Sequence, residues 1–233
     1  MAGSDEVQVD EPHPGILFDL DGTLIDSVYQ HVTAWTEALR AVGVDLAVWR
    51  VHRRIGMSGG LFVTALARET GRQLSREDLA EISRRHAEAF ERERHAVRPL
   101  PGARELLGVL SESGVPWAIA TSGMHKSAHP ALELLEVPDA ILVTRDQVRY
   151  AKPDPDLFLA AAGRLGLEAS RCVVVGDSIW DMLAARRAGA FGVGLLSGGY
   201  GEDELAKAGA LRVYADPADL LAHLDEIGVR RPL

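Results

Sequence analysis

The stretch Gly15-Ile16-Leu17-Phe18-Asp19-Leu20-Asp21-Gly22-Thr23-Leu24 is the most informative part of this chain. An apolar run precedes two carboxylates spaced i, i+2, and a glycine follows them. Alternate residues of a strand point to the same side, so Asp19 and Asp21 are predicted to share one face. Such a pair lets one carboxylate attack or hold a metal while the other moves a proton. Taken alone, the stretch also fits a strand end followed by an Asp-Gly turn.

Three later segments favour the chemical interpretation. They are Val115-Pro116-Trp117-Ala118-Ile119-Ala120 with Thr121-Ser122-Gly123, then Lys152-Pro153-Asp154-Pro155, then Cys172-Val173-Val174-Val175 with Gly176-Asp177-Ser178-Ile179-Trp180-Asp181. Open parallel sheets bind ligands beyond the carboxyl ends of their strands. Asp19, Thr121 and Asp177 each follow a strand-like run, so we expect them to converge.

The rest of the chain predicts a doubly wound α/β fold. Continuous apolar runs such as 172–175 are typical of strands that are covered on both faces. Strands and helices alternate from about residue 102 onward. Helices are predicted at 102–112, 125–135, 155–165, 179–188 and 217–225, and short strands near 140–143, 191–195 and 211–214. We assign 15–27 and 98–233 to this core, and 1–14 to a mobile tail that is acidic and carries two prolines.

Residues 28–97 have a different pattern, which predicts an inserted helical cap. Apolar residues recur at helical spacing from Val28 to Val42, and further helices are predicted at 60–70 and 76–94. In the last of these helices one face comprises Leu79, Ile82, His86 and Phe90. Because the insert follows the Asp19–Asp21 turn directly, it could act as a lid that excludes water and selects the substrate. The alternative is an ordinary helical subdomain.

The four motifs, in this order across residues 16–181, resemble those of the haloacid dehalogenase-like (HAD) hydrolases. The resemblance is closest to phosphoglycolate-phosphatase-like members with a helical cap, through Gly176-Asp177-Ser178 and residues 182–190. It implies a Rossmann-like core and a magnesium-dependent phosphatase. The expected substrate is a small phosphomonoester, phosphoglycolate or a sugar phosphate, hydrolysed through an aspartyl-phosphate.

The resemblance also implies roles for the acidic residues. Asp19 would be the nucleophile and Asp21 the acid/base. Mg²⁺ would be held by the Asp19 carboxylate, the Asp21 backbone carbonyl and Asp177, with water completing the octahedron. Asp181 has two interpretations that both stay open, because Ser178 and Asp181 have the spacing of a capping box and the matching acid of the family supports the metal site.

Phosphate binding is implied for the second and third motifs. The Thr121 hydroxyl and the backbone N–H groups of Ser122 and Gly123 would bind the phosphoryl oxygens, and Lys152 would add positive charge. The Thr-Ser-Gly sequence alone fits a helix start equally well. Lys152 is more telling, since the chain has three lysines and otherwise uses arginine.

Several other activities are weighed against this one. Asp21 argues against dehalogenation, and the absence of lysine from 28–97 argues against a Schiff-base phosphonatase. A sugar phosphomutase of the β-phosphoglucomutase type remains an alternative, although the arginine of its cap loop is replaced by Gly59. Arg53 and Arg54 could substitute for it, and with Gly59 they are predicted to contact the substrate; arginines exposed at a helix end are the alternative. A phospho-accepting signalling receiver also uses strand-end aspartates, but it needs neither a lid nor Asp21.

Composition limits the partners. The formal net charge is −9 and no basic tract is present, so neither nucleic acid nor an anionic membrane surface is an expected partner. No apolar run approaches the roughly 20 residues of a membrane-spanning helix, and the N-terminus lacks the features of a signal peptide. We therefore expect a cytoplasmic protein that acts on a small-molecule phosphate ester. The sequence does not specify its oligomeric state.

Overall fold

Alternating strands and helices make up most of the chain that the structure, a computed structural model, describes: residues 13–71 and 73–230. The strands are β1 (Gly15–Phe18), β2 (Ile25–Asp26), β3 (Arg98–Pro99), β4 (Trp117–Ala120), β5 (Leu142–Val143), β6 (Cys172–Gly176), β7 (Phe191–Leu195) and β8 (Ala210–Tyr214). The helices are α1 (Val28–Ala41), α2 (Val48–His52), α3 (Gly59–Thr70), α4 (Arg76–Glu93), α5 (Ala103–Glu112), α6 (His125–Leu134), α7 (Asp156–Arg164), α8 (Ile179–Ala188), α9 (Glu202–Ala208) and α10 (Pro217–Ala222).

A six-stranded parallel sheet of order β5-β4-β1-β6-β7-β8 forms the centre. Strand β1 lies inside it, with Phe18 opposite Ile119 on β4 and Val175 on β6. Ile16 and Phe18 pack with α5, α6 and α10, whereas Leu17 packs on the opposite face with α7 and α8. Because both faces are covered, every residue of β6 is buried, as its continuous apolar run predicts. The doubly wound α/β prediction is confirmed.

The parallel register brings the predicted site residues to one edge of the sheet. The Asp19 N–H donates to Val175 O at 2.9 Å, and the Thr121 N–H donates to Val143 O at 2.9 Å. Each residue thus follows its strand directly at the carboxyl end, and Asp177 follows β6 in the same way. This edge is where an open parallel sheet binds its ligands.

Helices α1 to α4 lie between β2 and β3, which pair antiparallel and connect them to the core. They enclose an apolar cluster of their own, whose most buried members are Val51, Leu66, Ala38 and Ile82. Helix α4 begins with a capping box: the Asp78 N–H donates to Ser75 Oγ at 3.0 Å, and the Ser75 N–H donates to Asp78 Oδ2 at 2.9 Å. The helical character of this insert agrees with its apolar spacing.

Short elements are where the structure departs from the expected pattern. Helices α2 and α9 and the β2–β3 pair were not expected, because each is too short to display a period. Helix α10 ends at Ala222, and a separate 3₁₀ turn follows over Leu224–Ile227. The predicted mobile tail lies outside the described residues, apart from His13 and Pro14. Within the described part of the chain, no helix has the length and apolar character needed to cross a membrane.

Candidate active site

Three carboxylates meet at the carboxyl edge of the sheet. Asp19, Asp177 and Asp181 each offer an oxygen, and these oxygens lie within 4.8 Å of one another. All three side chains are buried, although carboxylates rarely are unless they are paired or bind a metal. Asp19 and Asp177 thus lie together at the ends of their strands, and Asp181 joins them from the first turn of α8.

Lys152 is the cation of this cluster. Its ammonium donates to Asp19 Oδ1, and its Nζ lies 2.9 Å from Asp181 Oδ1. Burial disfavours the charged ammonium, but the adjacent Asp181 and Asp19 outweigh burial and raise the pKa of Lys152 above its usual value. Lys152 therefore stays charged although its side chain is fully buried.

The carboxylates remain in excess over this single ammonium. Burial raises the pKa of Asp19 to about 7; Lys152 opposes the shift, and Asp181 and Asp21 add to it. Burial, followed by the charges of Asp181 and Asp19, raises the pKa of Asp177 well above its usual range. With all three acids ionised, one ammonium leaves two negative charges without a counter-charge, and a set of carboxylate oxygens suits a hard divalent cation such as Mg²⁺. The residues present thus fit a metal ion.

Asp181 caps α8 and also faces the carboxylate cluster, and its support of a metal stays a prediction. Its Oδ2 accepts hydrogen bonds from the Ser178 N–H at 3.1 Å and from Ser178 Oγ at 2.5 Å, which caps α8. Its Oδ1 faces Lys152 and the other two acids. One carboxylate therefore fixes the start of the helix and contributes to the charged cluster.

Asp21 faces the cap rather than the carboxylate cluster. Its Oδ1 accepts a hydrogen bond from Ser27 Oγ at 2.6 Å and lies 3.2 Å from His31 Nε2. Burial would raise the pKa of Asp21, but His31 and the hydrogen bond from Ser27 lower it. Its carboxylate thus lies in a different environment from that of Asp19, among polar groups at the start of the cap. The proposed contact of its backbone carbonyl with a metal stays a prediction.

The Thr121-Ser122-Gly123 turn lies at the same edge, with Thr121 buried. Thr121 Oγ1 accepts a hydrogen bond from the Gly123 N–H at 3.0 Å. Ser122 Oγ donates to Gly56 O of the cap at 2.9 Å. The Gly123 N–H, predicted to bind phosphate, is therefore bonded within its own turn, and Ser122 contacts the cap.

Two glycines make room for Asp177. At Gly22, where φ is +82°, a Cβ would lie 2.6 Å from Asp177 Oδ2; at Gly198 it would lie 1.7 Å from the same oxygen. Thr23 Oγ1 donates to Asp177 Oδ1 at 3.2 Å. The loop after β7 is therefore part of the site. The sequence analysis did not identify this loop, although the Gly198-Gly199 pair after an apolar strand could have indicated it.

The predicted substrate arginines have protein partners. The Arg53 guanidinium donates to Glu204 Oε2 at 3.1 Å and lies 4.0 Å from the Tyr200 ring centroid. Arg54 pairs with Glu69 of α3. Gly59 begins α3 beside Trp35, 3.5 Å from where its Cβ would lie. Arg53 thus connects the cap to α9 of the core, and substrate contact by these residues stays a prediction.

Two histidines of the cap escaped the sequence reasoning as functional residues. His31 contacts Asp21, and His86 contacts His31. The signal for His31 was its place on the apolar face of α1, with the spacing i, i+3, i+7 in Val28, His31 and Trp35. His86 was counted with the apolar face of α4. A narrow cleft of about 30 Å³ adjoins Asp21 and His31 between α4 and α6, with Phe90, Arg94 and Ser127 in its walls.

Comparisons with known proteins agree with this geometry. A family model described as haloacid dehalogenase-like hydrolase matches residues 13–189. The crystal structure of a hydrolase from Pseudomonas syringae, 56% identical, superposes with a TM-score of 0.91 over 93% of this chain and 100% of that chain. Hexitol phosphatase A of Escherichia coli (strain K12) is 38% identical over 75% of this chain and 79% of its own length. Phosphoglycolate phosphatase of Rhodospirillum rubrum is 34% identical over 88% of each chain.

The chain belongs to the haloacid dehalogenase-like hydrolases. Its fold and four motifs are those that the sequence resemblance predicted, and it is an enzyme of the hydrolase class.

Proposed function

We propose that this enzyme hydrolyses a small phosphomonoester through an aspartyl-phosphate on Asp19. The observation that carries the proposal is the separation of two carboxylates that leave the same strand. Asp19 is held by Lys152 in the buried cluster, whereas Asp21 is held by Ser27 and by His31 of the cap. One acid is thereby placed for attack and the other for proton transfer.

The reaction has two steps. A carboxylate oxygen of Asp19 attacks phosphorus, the P–O bond to the alcohol breaks, and Asp21 gives its proton to the leaving oxygen. Asp21 then takes a proton from water, whose oxygen attacks phosphorus and releases inorganic phosphate and free Asp19. Lys152, the Thr121 hydroxyl and the Ser122 N–H orient the phosphoryl oxygens and offset their charge, and the Gly123 N–H joins them once it leaves Thr121 Oγ1.

Mg²⁺ is the cofactor that we propose for the carboxylate cluster. Asp19, Asp177 and Asp181 offer the side-chain oxygens, and the Asp21 carbonyl is a further candidate ligand. When bound, such an ion would offset the repulsion between the phosphate and the carboxylates and would make the phosphorus more susceptible to attack by Asp19.

We propose that residues 28–97 act as the lid and 15–27 with 98–233 as the catalytic core. The lid contacts the core through Ser122 and Gly56, and through Ser58, whose N–H donates to Lys152 O at 3.2 Å. These contacts surround the phosphate-binding residues, which favours a lid that excludes water from Asp19. The cytoplasmic location expected from composition stays a prediction.

Relatives described as a phosphoglycolate phosphatase and a hexitol phosphatase support a small substrate. Hydrolysis of phosphoglycolate or a sugar phosphate is the specific activity we propose. A mutase must bind a second phosphate on the cap, but Arg53 and Arg54 are engaged with Glu204 and Glu69. A receiver must preserve its aspartyl-phosphate, whereas Asp21 beside Asp19 favours hydrolysis.

The test is phosphate release by the purified protein from phosphoglycolate, hexitol phosphates, short sugar phosphates, nucleoside monophosphates and glucose 1-phosphate, with Mg²⁺ and with chelator. We expect Mg²⁺-dependent release from a small ester. Isomerisation of a sugar phosphate with little release would contradict hydrolysis and favour the mutase. A stable phosphoprotein without turnover would favour the receiver.

A further inference from the structure

Two imidazoles connect Asp21 to the interior of the cap. His31 on α1 has its Nε2 3.2 Å from Asp21 Oδ1 and its Nδ1 3.1 Å from His86 Nε2 on α4. The path from Asp21 through His31 to His86 therefore runs through both ring nitrogens of His31. Helices α1 and α4 are direct packing neighbours, so the path lies within the cap's main helix pair.

Aromatic rings hold both imidazoles in place. The His31 ring stacks on Phe90 with 3.9 Å between centroids and 3° between planes. The His86 ring stacks on Trp35, again with 3.9 Å between centroids. Neither ring can rotate far without losing this stacking, so the nitrogens are held at fixed positions.

The protonation state of His86 limits the hydrogen bonds that His31 can form. Burial, with a smaller contribution from the charge of His31, lowers the pKa of His86 well below its usual value. A neutral imidazole has one donor and one acceptor nitrogen. In the hydrogen bond between the two rings, the shared proton is therefore carried either by His31 Nδ1 or by His86 Nε2. In either arrangement His86 uses Nδ1 of His31 and leaves Nε2 to Asp21. A ring flip of His31 would break both contacts.

We propose that His86 is a positioning residue for the hydrolytic reaction: it orients His31 and thereby holds the Asp21 carboxyl where it can protonate the leaving oxygen. The inference rests on the acid/base role proposed for Asp21. His86 does not touch the reacting atoms in this arrangement and acts only through His31. Replacing His86 is therefore expected to lower kcat more for a substrate whose leaving group needs a proton than for one whose leaving group does not.

The test compares two leaving groups in three variants. His86→Phe keeps an aromatic ring on Trp35 but removes the nitrogen, His86→Gln keeps a polar atom near the position of Nε2, and Ile82→Val on the same helix is the packing control. We measure kcat and KM with the best alkyl phosphate of the substrate panel and with p-nitrophenyl phosphate, whose leaving group needs little protonation. We expect His86→Phe to lower kcat about tenfold with the alkyl ester and less than about twofold with the aryl ester. KM should change little, His86→Gln should recover part of the loss, and Ile82→Val should affect neither ester selectively.

Action through His31 gives a second expectation. In a double-mutant cycle with His31→Phe, the double variant should be no slower on the alkyl ester than His31→Phe alone. Equal losses on both esters, additive losses in the cycle, or full activity of His86→Phe would overturn the inference.

If His86→Phe does not fold, His86→Gln and His86→Asn replace it, since the shorter Asn amide cannot reach the position of Nε2. Equal activity of these two variants on the alkyl ester would overturn the inference. A folded wild-type protein without activity on either ester would instead count against the phosphatase proposal, and with it against this one.

Discussion

Lys152 Nζ lies 2.9 Å from Asp181 Oδ1, and neither side chain has exposed surface. The same ammonium donates to Asp19, the proposed nucleophile. One buried cation thus connects the residue that starts α8 with the residue that ends β1. Several expected behaviours of the protein depend on this arrangement of charge.

Removing the ammonium should destabilise the protein and stop turnover. Lys152→Met would leave Asp19 and Asp181 buried without their cation, and breaking such a pair costs about 3–5 kcal/mol. Urea unfolding at pH 8 in the presence of chelator measures the loss. Lys126→Met, at an exposed position on α6, is the matched control and should cost little. A Lys152→Met protein as stable as the wild type would contradict the buried ion pair.

The metal-free protein should lose stability as the pH rises from about 4 to about 7. The pKa of Asp19 rises from 3.8 to about 7 on folding, so across this interval the folded state holds more protons than the unfolded state. The free energy of unfolding therefore falls with rising pH, by up to about 4 kcal/mol for this group. Asp177 shifts in the same direction. The lowered pKa of Asp21 has the opposite effect: it increases the free energy of unfolding as the pH rises, near the lower end of the interval.

A bound cation should cancel most of that loss. The increase in melting temperature caused by Mg²⁺ over chelator should be larger at pH 8 than at pH 5, because protons compete with the ion for the carboxylates at low pH. Thermal unfolding at the two pH values measures this difference. An equal Mg²⁺ increment at both would contradict a metal site formed by these acids.

Gly198→Ala should weaken the metal site without removing a ligand. The added Cβ would lie 1.7 Å from Asp177 Oδ2, so the carboxylate or the loop has to move. We expect the Mg²⁺ concentration for half-maximal activity to rise about tenfold or more, in the range seen when groups that orient metal ligands are altered. Gly201→Ala in the same loop has φ −78°, and its Cβ would make only an ordinary contact of 3.5 Å with Glu204 Oε2, so it should behave like the wild type. A wild-type Mg²⁺ dependence in Gly198→Ala would show that this contact is not needed.

The Arg53–Glu204 pair should hold the cap on the core. Both side chains are partly exposed, at 31% and 44%, so their coupling is expected to be about 0.5–1 kcal/mol. Arg53→Gln and Glu204→Gln should then change kcat/KM by similar, small factors of about 2–5, and the double variant should resemble either single variant. A much larger effect of Arg53→Gln alone would instead indicate that Arg53 contacts the substrate.

Long periodic elements and strand-end acids could be predicted from the sequence. The apolar run of β6 could be recognised as a strand because both faces of the sheet are covered and all of its residues are buried. Asp19 and Asp177 could be predicted as site residues because each directly follows such a run. The long cap helix α4 agreed closely with its prediction at 76–94 because its apolar face is a local signal. Helix α9 could not be predicted, since seven residues with three acids in the first turn display no apolar period.

Contacts between segments that are distant in the chain could not be predicted from the sequence. Arg53 and Glu204 are 151 residues apart, and only the fold decides that the guanidinium meets an acid and not a substrate. His86 appears in the sequence as one more member of an apolar face, because a buried, neutral imidazole packs like an aromatic residue. Its partner His31 becomes visible only when α1 and α4 pack together. Sequence reasoning therefore missed the polar contacts of the cap, as it missed the loop after β7.

The most direct test of the central claim is to trap the phosphoryl group on Asp19. Asp21→Asn, supplied with Mg²⁺ and p-nitrophenyl phosphate, retains the nucleophile but lacks the base that activates water. Acid quenching followed by peptide mass spectrometry should find the phosphoryl group on Asp19 at close to one per chain, and Asp19→Asn, correctly folded, should carry none and release no phosphate. Turnover by folded Asp19→Asn, or a phosphoryl group on another residue, would contradict the proposed mechanism.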